Sequence, residues 1–419
     1  SSDLHAHVED LCRRARPAAR ALATCPDAER RQALEAIAGA IEAAAPDILS
    51  ANRSDLERAT ADGLSAAMID RLRLDEDRLA GVVADLRGVR DQADPVGRVL
   101  EERPLRNGIR LQKVSVPIGV VCIIFESRPN VTVDAAALCL RSGNACILRG
   151  GKEAVASNRA FAAAIRTGLE AADRSGDSVQ LVMDQDRALI GELLKRDDAI
   201  DLVVPRGGEG LIRAVVEQSR IPVVKHDKGI CSLYVHSAAD LDQALPIVVN
   251  AKCQRPGVCN AIENLLVDRT ILADFLPPLE AELRARNCEI RADEAARAHL
   301  QQAAAATEAD WDTEYLDLIL SIRTVEDVGE AVAFTNAHGS QHSDGILTTD
   351  MTAADSYLAG VDSACVYHNA STRFTDGAMF DLGAEVGIST NRLHARGPMG
   401  VAELCTYKYV LRGTGQVRD

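Results

Sequence analysis

From Val114 to Val235 the chain alternates short β-branched runs with segments of helical length, and this alternation restricts the fold more than any other feature. Val114 to Phe125 reads as a strand that ends at Glu126-Ser127-Arg128-Pro129-Asn130 and feeds a helix, Val133 to Arg141. Ala145 to Leu148 reads as a buried strand. It stops at Arg149-Gly150-Gly151-Lys152-Glu153 before a helix from Ala154 to Leu169. Further strands are predicted at Val179 to Met183, Asp201 to Val204, Pro222 to Val224 and Ile230 to Val235, with helices at Arg187 to Lys195 and Leu211 to Gln218. Strands and helices of these lengths imply right-handed crossovers, hence an α/β fold with a doubly wound parallel sheet. A second α/β unit follows, with strands near Leu265, Glu289, Leu316 to Ile322 and Ser343 to Leu347.

The flanking regions differ. Residues 4 to 92 repeat Ala, Leu and Ile at three- and four-residue spacing, as in Leu34, Ile37 and Ile41, and read as helices without evident chemistry. Leu105 to Val116 alternates around Asn107-Gly108, which predicts a hairpin with a type I′ turn. The tail segment Thr406 to Val410 is β-branched and aromatic, suited to pairing with that hairpin. Two strand segments so far apart suggest a small flap that pairs between subunits, so a homo-oligomer is expected. The expected division is 1–104 with 117–235 for a dinucleotide-binding domain, 236–400 for a catalytic domain, and 105–116 with 401–419 for the flap.

A chain of 419 residues is too long for one core, and its net charge of −15 argues against a nucleic-acid or anionic-membrane surface. Any anionic substrate must therefore be held by a local basic cluster. Eleven cysteines without Cys-x-x-Cys pairs indicate neither a zinc site nor a disulfide framework, so no metal is expected. They fit reduced thiols in a cytoplasmic protein, and no apolar run reaches the ~18 residues of a membrane span.

One stretch carries nucleophilic character. In Asn250-Ala251-Lys252-Cys253-Gln254-Arg255-Pro256-Gly257-Val258-Cys259-Asn260, the Arg255-Pro256-Gly257 turn presents Cys259 just past a bend. A thiolate needs a nearby cation or amide dipoles to ionise near neutral pH, and Lys252 and Arg255 lie close in sequence. A buried small hydrophobe is the other reading of such a cysteine. Cys253 is the nearest rival nucleophile but has no turn directly before it. Arg128, Lys252 and Arg255 are the candidates for holding an anionic substrate.

Two turns leave a strand and enter a helix with glycines in place, giving free amides suited to phosphates. Gly207-Gly208-Glu209-Gly210 departs from the six-residue dinucleotide fingerprint, and an ordinary tight turn also fits it. Arg149 and Lys152 beside Gly150-Gly151 suit a ribose 2′-phosphate and hence NADP; a solvated basic loop is the other reading. Asn130 stands where a strand feeds a helix, as an oxyanion donor or a helix cap. His226 beside Asp227 reads as structural or substrate-orienting.

Taken together, these residues resemble the aldehyde dehydrogenase superfamily, from about Ala21 to the C-terminus. The most specific segments are Phe125 to Thr132, Ala251 to Asn260, His394-Ala395-Arg396-Gly397-Pro398-Met399-Gly400 and Thr406-Tyr407-Lys408-Tyr409. Within the superfamily they are similar to the branch that reduces γ-glutamyl phosphate in proline synthesis. The resemblance implies Cys259 as nucleophile and Asn130 as the asparagine that completes the oxyanion hole. It implies Arg149 at the adenosine ribose, Gly207 and Gly208 near the pyrophosphate, and Glu314 at the nicotinamide ribose. It further implies NADPH-dependent reduction of L-glutamyl 5-phosphate through a cysteine thioester, with a glutamate 5-kinase as candidate partner.

Two departures matter. Cys253 stands where the branch has threonine. The Glu-Leu-Gly-Gly-Lys of hydrolytic members is replaced by Val224-Lys225-His226-Asp227-Lys228-Gly229, without the glutamate that activates water. An acyl-phosphate enzyme must keep water off its thioester, so this absence favours the phosphate-linked branch. A non-phosphorylating aldehyde dehydrogenase and a non-catalytic dinucleotide-binding relative are the alternatives.

Overall fold

The computed structural model describes residues 2–418 apart from Ser127, His226 and Asp227. It divides into two compact units. The first comprises residues 1–225, 381–387 and 399–419, and the second residues 226–380 and 388–398. The boundary falls at 225/226, earlier than the expected 235/236, because the strand ending at Val235 hydrogen-bonds into the second unit's sheet.

The first unit opens with five helices, α1 (Ser2–Ala23), α2 (Asp27–Ala43), α3 (Ala45–Ala61), α4 (Ala66–Leu72) and α5 (Glu76–Asp91). Leu34, Ile37 and Ile41 are buried, as their spacing predicts. Asp75 starts α5 by accepting the Arg78 amide at 2.8 Å. Next come β1 (Val99–Pro104), β2 (Arg110–Pro117), β3 (Val120–Phe125), α6 (Val131–Arg141), β4 (Ala145–Arg149), α7 (Val155–Ala171), β5 (Val179–Leu181), α8 (Ala188–Leu193), β6 (Leu202–Arg206) and α9 (Glu209–Gln218). The β-branched run from Val114 to Phe125 is two strands, divided where Gly119 takes φ +133°. β3 to β6 form a parallel sheet in the order β5-β4-β3-β6, so the strand order reverses between β3 and β6. Every residue of β3 and β4 is buried, as expected of strands covered on both faces. Pro222 to Val224 is not a full strand; only Val223 bridges to Val203.

The second unit contains β7 (Cys231–Val235), α10 (Leu241–Cys253), β8 (Ile262–Asp268), α11 (Leu272–Arg284), β9 (Glu289–Ala292), α12 (Glu294–Arg297), β10 (Ala304–Ala305), α13 (Glu308–Trp311), β11 (Ile319–Val325), α14 (Val328–His338), β12 (Ser343–Leu347), α15 (Met351–Gly360), β13 (Cys365–His368), β14 (Ile388–Ser389) and β15 (Gly397–Pro398). Seven strands form a parallel sheet in the order β10-β9-β11-β8-β7-β12-β13. Side chains alternate across it. Leu233, Leu265 and Val267 pack with α10 and α11 on one face, while Tyr234, Leu266 and Ile346 pack with α14 and α15 on the other.

The last strand, β16 (Cys405–Arg412), pairs antiparallel with β2 in the first unit, from Cys405 opposite Pro117 to Arg412 opposite Arg110. With β1 it makes the three-stranded sheet in which the tail was expected to meet the hairpin. The turn is not type I′. The Gly108 amide bonds to the Leu105 carbonyl at 2.9 Å and Gly108 alone takes positive φ, +81°, so a type I turn runs into a glycine bulge.

Among the described residues no helix is long and apolar enough to cross a membrane, and no group of three or more His, Cys, Asp or Glu side chains is arranged to hold a metal.

Candidate active site

In the first unit the relevant groups gather past the C-terminal ends of β3, β4 and β6. This is where a parallel sheet presents its ligand crevice when the strand order reverses. Asn130 is the residue before α6, but its side chain makes no capping bond to the helix. Its Nδ2 instead donates to Asp134 Oδ2 at 2.9 Å, one helical turn on. Asp134 is partly buried, and desolvation, assisted by the charge of Asp85, raises its pKa to about 7. The Asn130 bond, Arg206 and Arg128 work in the opposite direction. One N–H of the Asn130 amide is thereby engaged.

Arg149 ends β4 and is nearly buried. Its guanidinium donates to the Gly150 carbonyl at 3.0 Å and the Gln185 carbonyl at 3.1 Å, while its buried Nε has no partner. Burial lowers its pKa. Lys152, three residues on, is exposed. Gly150 answers to packing, since a Cβ there would lie 2.1 Å from Asn158 Nδ2. At the next turn the amide of Gly208 donates to Glu126 Oε2 at 3.0 Å, and a Cβ on Gly207 would meet the same oxygen at 2.4 Å. No side chain caps α9. An unpartnered buried Nε and an exposed lysine could hold an anionic group of a nicotinamide dinucleotide. At the Gly207-Gly208 turn a pyrophosphate would compete with the Glu126 carboxylate for the Gly208 amide.

In the second unit the nucleophile candidate lies at the opposite end of its sheet. Cys259 is half-buried on the loop between α10 and β8, three residues before β8 begins. Gly229 stands two residues before the neighbouring β7, and its backbone is pressed against the loop: a Cβ there would lie 2.4 Å from Cys259 Cα. Only glycine allows that approach. The Cys259 carbonyl also accepts from the Cys231 thiol at 3.2 Å; burial pushes that thiol's pKa well up, so it stays a donor. Glu314 accepts the Gly229 amide at 2.9 Å. The residue expected at a nicotinamide ribose therefore supports the turn behind Cys259.

Lys252 is withdrawn from the substrate-binding candidates. Its side chain is fully buried in α10 and its Nζ lies 2.5 Å from Glu263 Oε2, itself buried. A lysine neutralised inside the core has no charge to offer a substrate. Arg255 is exposed on the Cys259 loop, and Arg128 lies in the first unit near Asp134. Cys253 turns away from the nucleophile. The neighbouring Cys288 thiol lowers its pKa, and Cys253 lines a cavity of about 490 Å³ with Leu245, Val249 and Arg286. None of the eleven cysteines is in a disulfide.

One residue escaped the sequence reading. Arg373 lies on a short 3₁₀ turn, Thr372–Phe374, and donates from Nε to Gln254 Oε1 at 2.9 Å. Burial and the charge of Arg255 lower its pKa, while Asp376 and Cys259 act against the shift. The signal available beforehand was an arginine among small polar residues, Ser371-Thr372-Arg373, which has no distinctive spacing. His226 and Asp227 lie outside the described residues, as does Ser127.

A sequence profile, the Aldehyde dehydrogenase family, matches residues 3–308. The chain belongs to that family. It is 49% identical over 418 residues to the gamma-glutamyl phosphate reductase of Rhodospirillum rubrum, covering 100% of this chain and 98% of that one. It is 54% identical over 340 residues to the same-named protein of Nautilia profundicola, covering 81% and 82% of the two chains. The crystal structure of gamma-glutamyl phosphate reductase from Thermotoga maritima superposes with a TM-score of 0.96 at 42% identity, covering 99% of this chain and 100% of that one. The family works with a nicotinamide dinucleotide.

Proposed function

We propose that the chain reduces L-glutamyl 5-phosphate with NADPH to L-glutamate 5-semialdehyde and phosphate, the second step of proline biosynthesis. The observation that carries the reading is Cys259. It sits half-exposed on a loop fixed by Gly229 and Cys231, in a chain half-identical to gamma-glutamyl phosphate reductases along its full length.

In the biosynthetic direction Cys259 Sγ attacks the acyl carbon, the carbon–oxygen bond to phosphate breaks, and a thioester forms. The Cys259 backbone amide holds the oxyanion while charge develops on it. A reduced nicotinamide held by the first unit would supply the hydride that the thioester carbon accepts. Cys259 then leaves as thiolate when the resulting hemithioacetal collapses. Val224 to Gly229 lacks the glutamate that hydrolytic relatives use on water, so the thioester persists until it is reduced.

Arg149 and Lys152 would hold the 2′-phosphate that separates NADP from NAD, and Gly207 and Gly208 the pyrophosphate. The first unit would then be the cofactor domain and the second the catalytic one. The flap strand β16 presents exposed Tyr407, Tyr409 and Leu411 along a sheet edge, which supports pairing with a second copy. The reading places the enzyme in the cytoplasm, beside a glutamate 5-kinase that makes its labile substrate.

The reverse reaction tests it. Pyrroline-5-carboxylate and NADP should yield reduced cofactor only when inorganic phosphate is present. Turnover without phosphate would move the chain to the hydrolytic branch.

A further inference from the structure

The segment that carries Arg373 is stitched to the Cys259 loop at three points. Thr372 Oγ1 donates to the Asn260 carbonyl at 2.7 Å, and Asn260 Nδ2 donates to the Thr375 carbonyl at 2.7 Å. Arg373 Nε reaches Gln254 Oε1 at 2.9 Å. Gln254 precedes Arg255 and Asn260 follows Cys259, so the bonds grip the entry and the exit of the same turn. Thr372, Thr375 and Asn260 are buried, which fixes Arg373 with little freedom.

These bonds bring the Arg373 guanidinium to the patch beside the thiol where Arg255 lies, close enough that the charge of Arg255 disfavours that of Arg373. Among the described residues neither forms an ion pair with a carboxylate, although most arginines of this acidic chain do, as Arg291 does with Asp310 and Arg396 with Asp362. Like charges held together in this way lose less once a dianion lies between them, and the guanidinium fork matches phosphate geometry.

We propose that Arg373, with Arg255, forms the subsite for the phosphoryl group of the acyl phosphate, and for inorganic phosphate in the reverse direction. The proposal rests on the phosphate-linked reading above and names the group that confers it. The phosphoryl oxygen is bonded to the carbon that Cys259 attacks, so its holder must flank the thiol. The substrate's α-carboxylate is several carbons away. On attack the Sγ–C bond forms, the C–O bond breaks, and the thiol's proton ends on the departing phosphate. The arginines hold that phosphate without exchanging a proton.

The test is steady-state kinetics of the reverse reaction with Arg373→Gln, varying inorganic phosphate and pyrroline-5-carboxylate separately. The expected result is a phosphate KM raised by about tenfold or more, with the KM for pyrroline-5-carboxylate within about twofold of wild type. Arg373→Lys keeps the charge without the fork, and should raise the phosphate KM by roughly threefold. It also stands in should the glutamine variant fail to fold. A rise in the pyrroline-5-carboxylate KM alone would assign Arg373 to the α-carboxylate and overturn the proposal, as would no change in either KM. Wild-type turnover without phosphate would instead defeat the functional reading.

Discussion

In the first unit Asn130 stands where the backbone of a parallel sheet puts it, past the C-terminal end of β3 at the point where the strand order reverses. In the second unit Cys259 lies at the N-terminal ends of β7 and β8, where that rule offers no crevice. Its loop is held by contacts distant in sequence: Gly229 against its backbone, Glu314 behind Gly229, and Asn260 tied to residues 372 and 375. The first arrangement follows from strand–helix alternation and needs one side-chain bond, Asn130 to Asp134. The second depends on many side chains and on a glycine that admits no substitute. A site set by backbone should tolerate changes around it, and a site sewn together by side chains should not.

The largest effect expected is from Cys259→Ala. Phosphate-dependent turnover should fall by on the order of 10⁴-fold or more, while cofactor binding, followed by nucleotide fluorescence, stays intact. Cys253→Ala, altering the thiol that faces Cys288, should keep most of the activity. The reverse pattern would break the assignment of the nucleophile to the Cys259 loop. Asn130→Ala should cost about a hundredfold in kcat, the usual loss for one oxyanion donor. Retained kcat would show that the first unit contributes no oxyanion donor through this amide.

What could be read from the sequence divides along the same line. Alternating runs announced both sheets, and the places of Asn130, Arg149 and Gly207 past strand ends follow from the same linear pattern. The tail's pairing with the hairpin was legible too, from β-branched and aromatic residues at Thr406 to Val410. Lys252 was misread because a lysine two residues from a turn looks exposed; only folding shows Glu263 delivered to it on β8. Glu314 and Arg373 are positioned by hydrogen bonds to residues about 85 and 119 positions away, separations that no local pattern encodes. The Asn107-Gly108 turn missed for a local reason: only Gly108 takes positive φ, and a type I′ turn needs two such residues.

Two glycines sharpen the comparison. Gly229→Ala drives a methyl to within 2.4 Å of Cys259 Cα, so the backbone must move and the thiol with it. A misplacement of that size should lower kcat by tens-fold, up to about 10²-fold, without weakening cofactor binding. Gly210→Ala, on α9 in the first unit, meets no atom within 4 Å and should leave folding and turnover unharmed. Equal losses from the two would erase the distinction between a sewn loop and a backbone-set one.

The smallest effect is one the two units share. Each holds an aspartate whose pKa desolvation raises to about 7: the partly buried Asp134 on α6, and the buried Asp344 on β12, which accepts from the Ser363 hydroxyl and the Ser232 amide. Both folded values lie above the usual carboxyl range, so between about pH 4 and pH 7 the folded state binds more protons than the unfolded one. That stabilisation is full below the usual range and is lost as pH rises through about 7. Urea unfolding at pH 5.5 should therefore show a more stable protein than at pH 7.5, by on the order of 2 kcal/mol for each group. Carboxylates held low by hydrogen bonds, such as Asp310 by Tyr315 and Arg291, lose their contribution only at more acidic pH and leave this window untouched. Asp134→Asn and Asp344→Asn should each remove its own share of the slope. If only Asp134→Asn also lowered kcat, the carboxyl of the first unit would be acting through Asn130, and that of the second through packing alone.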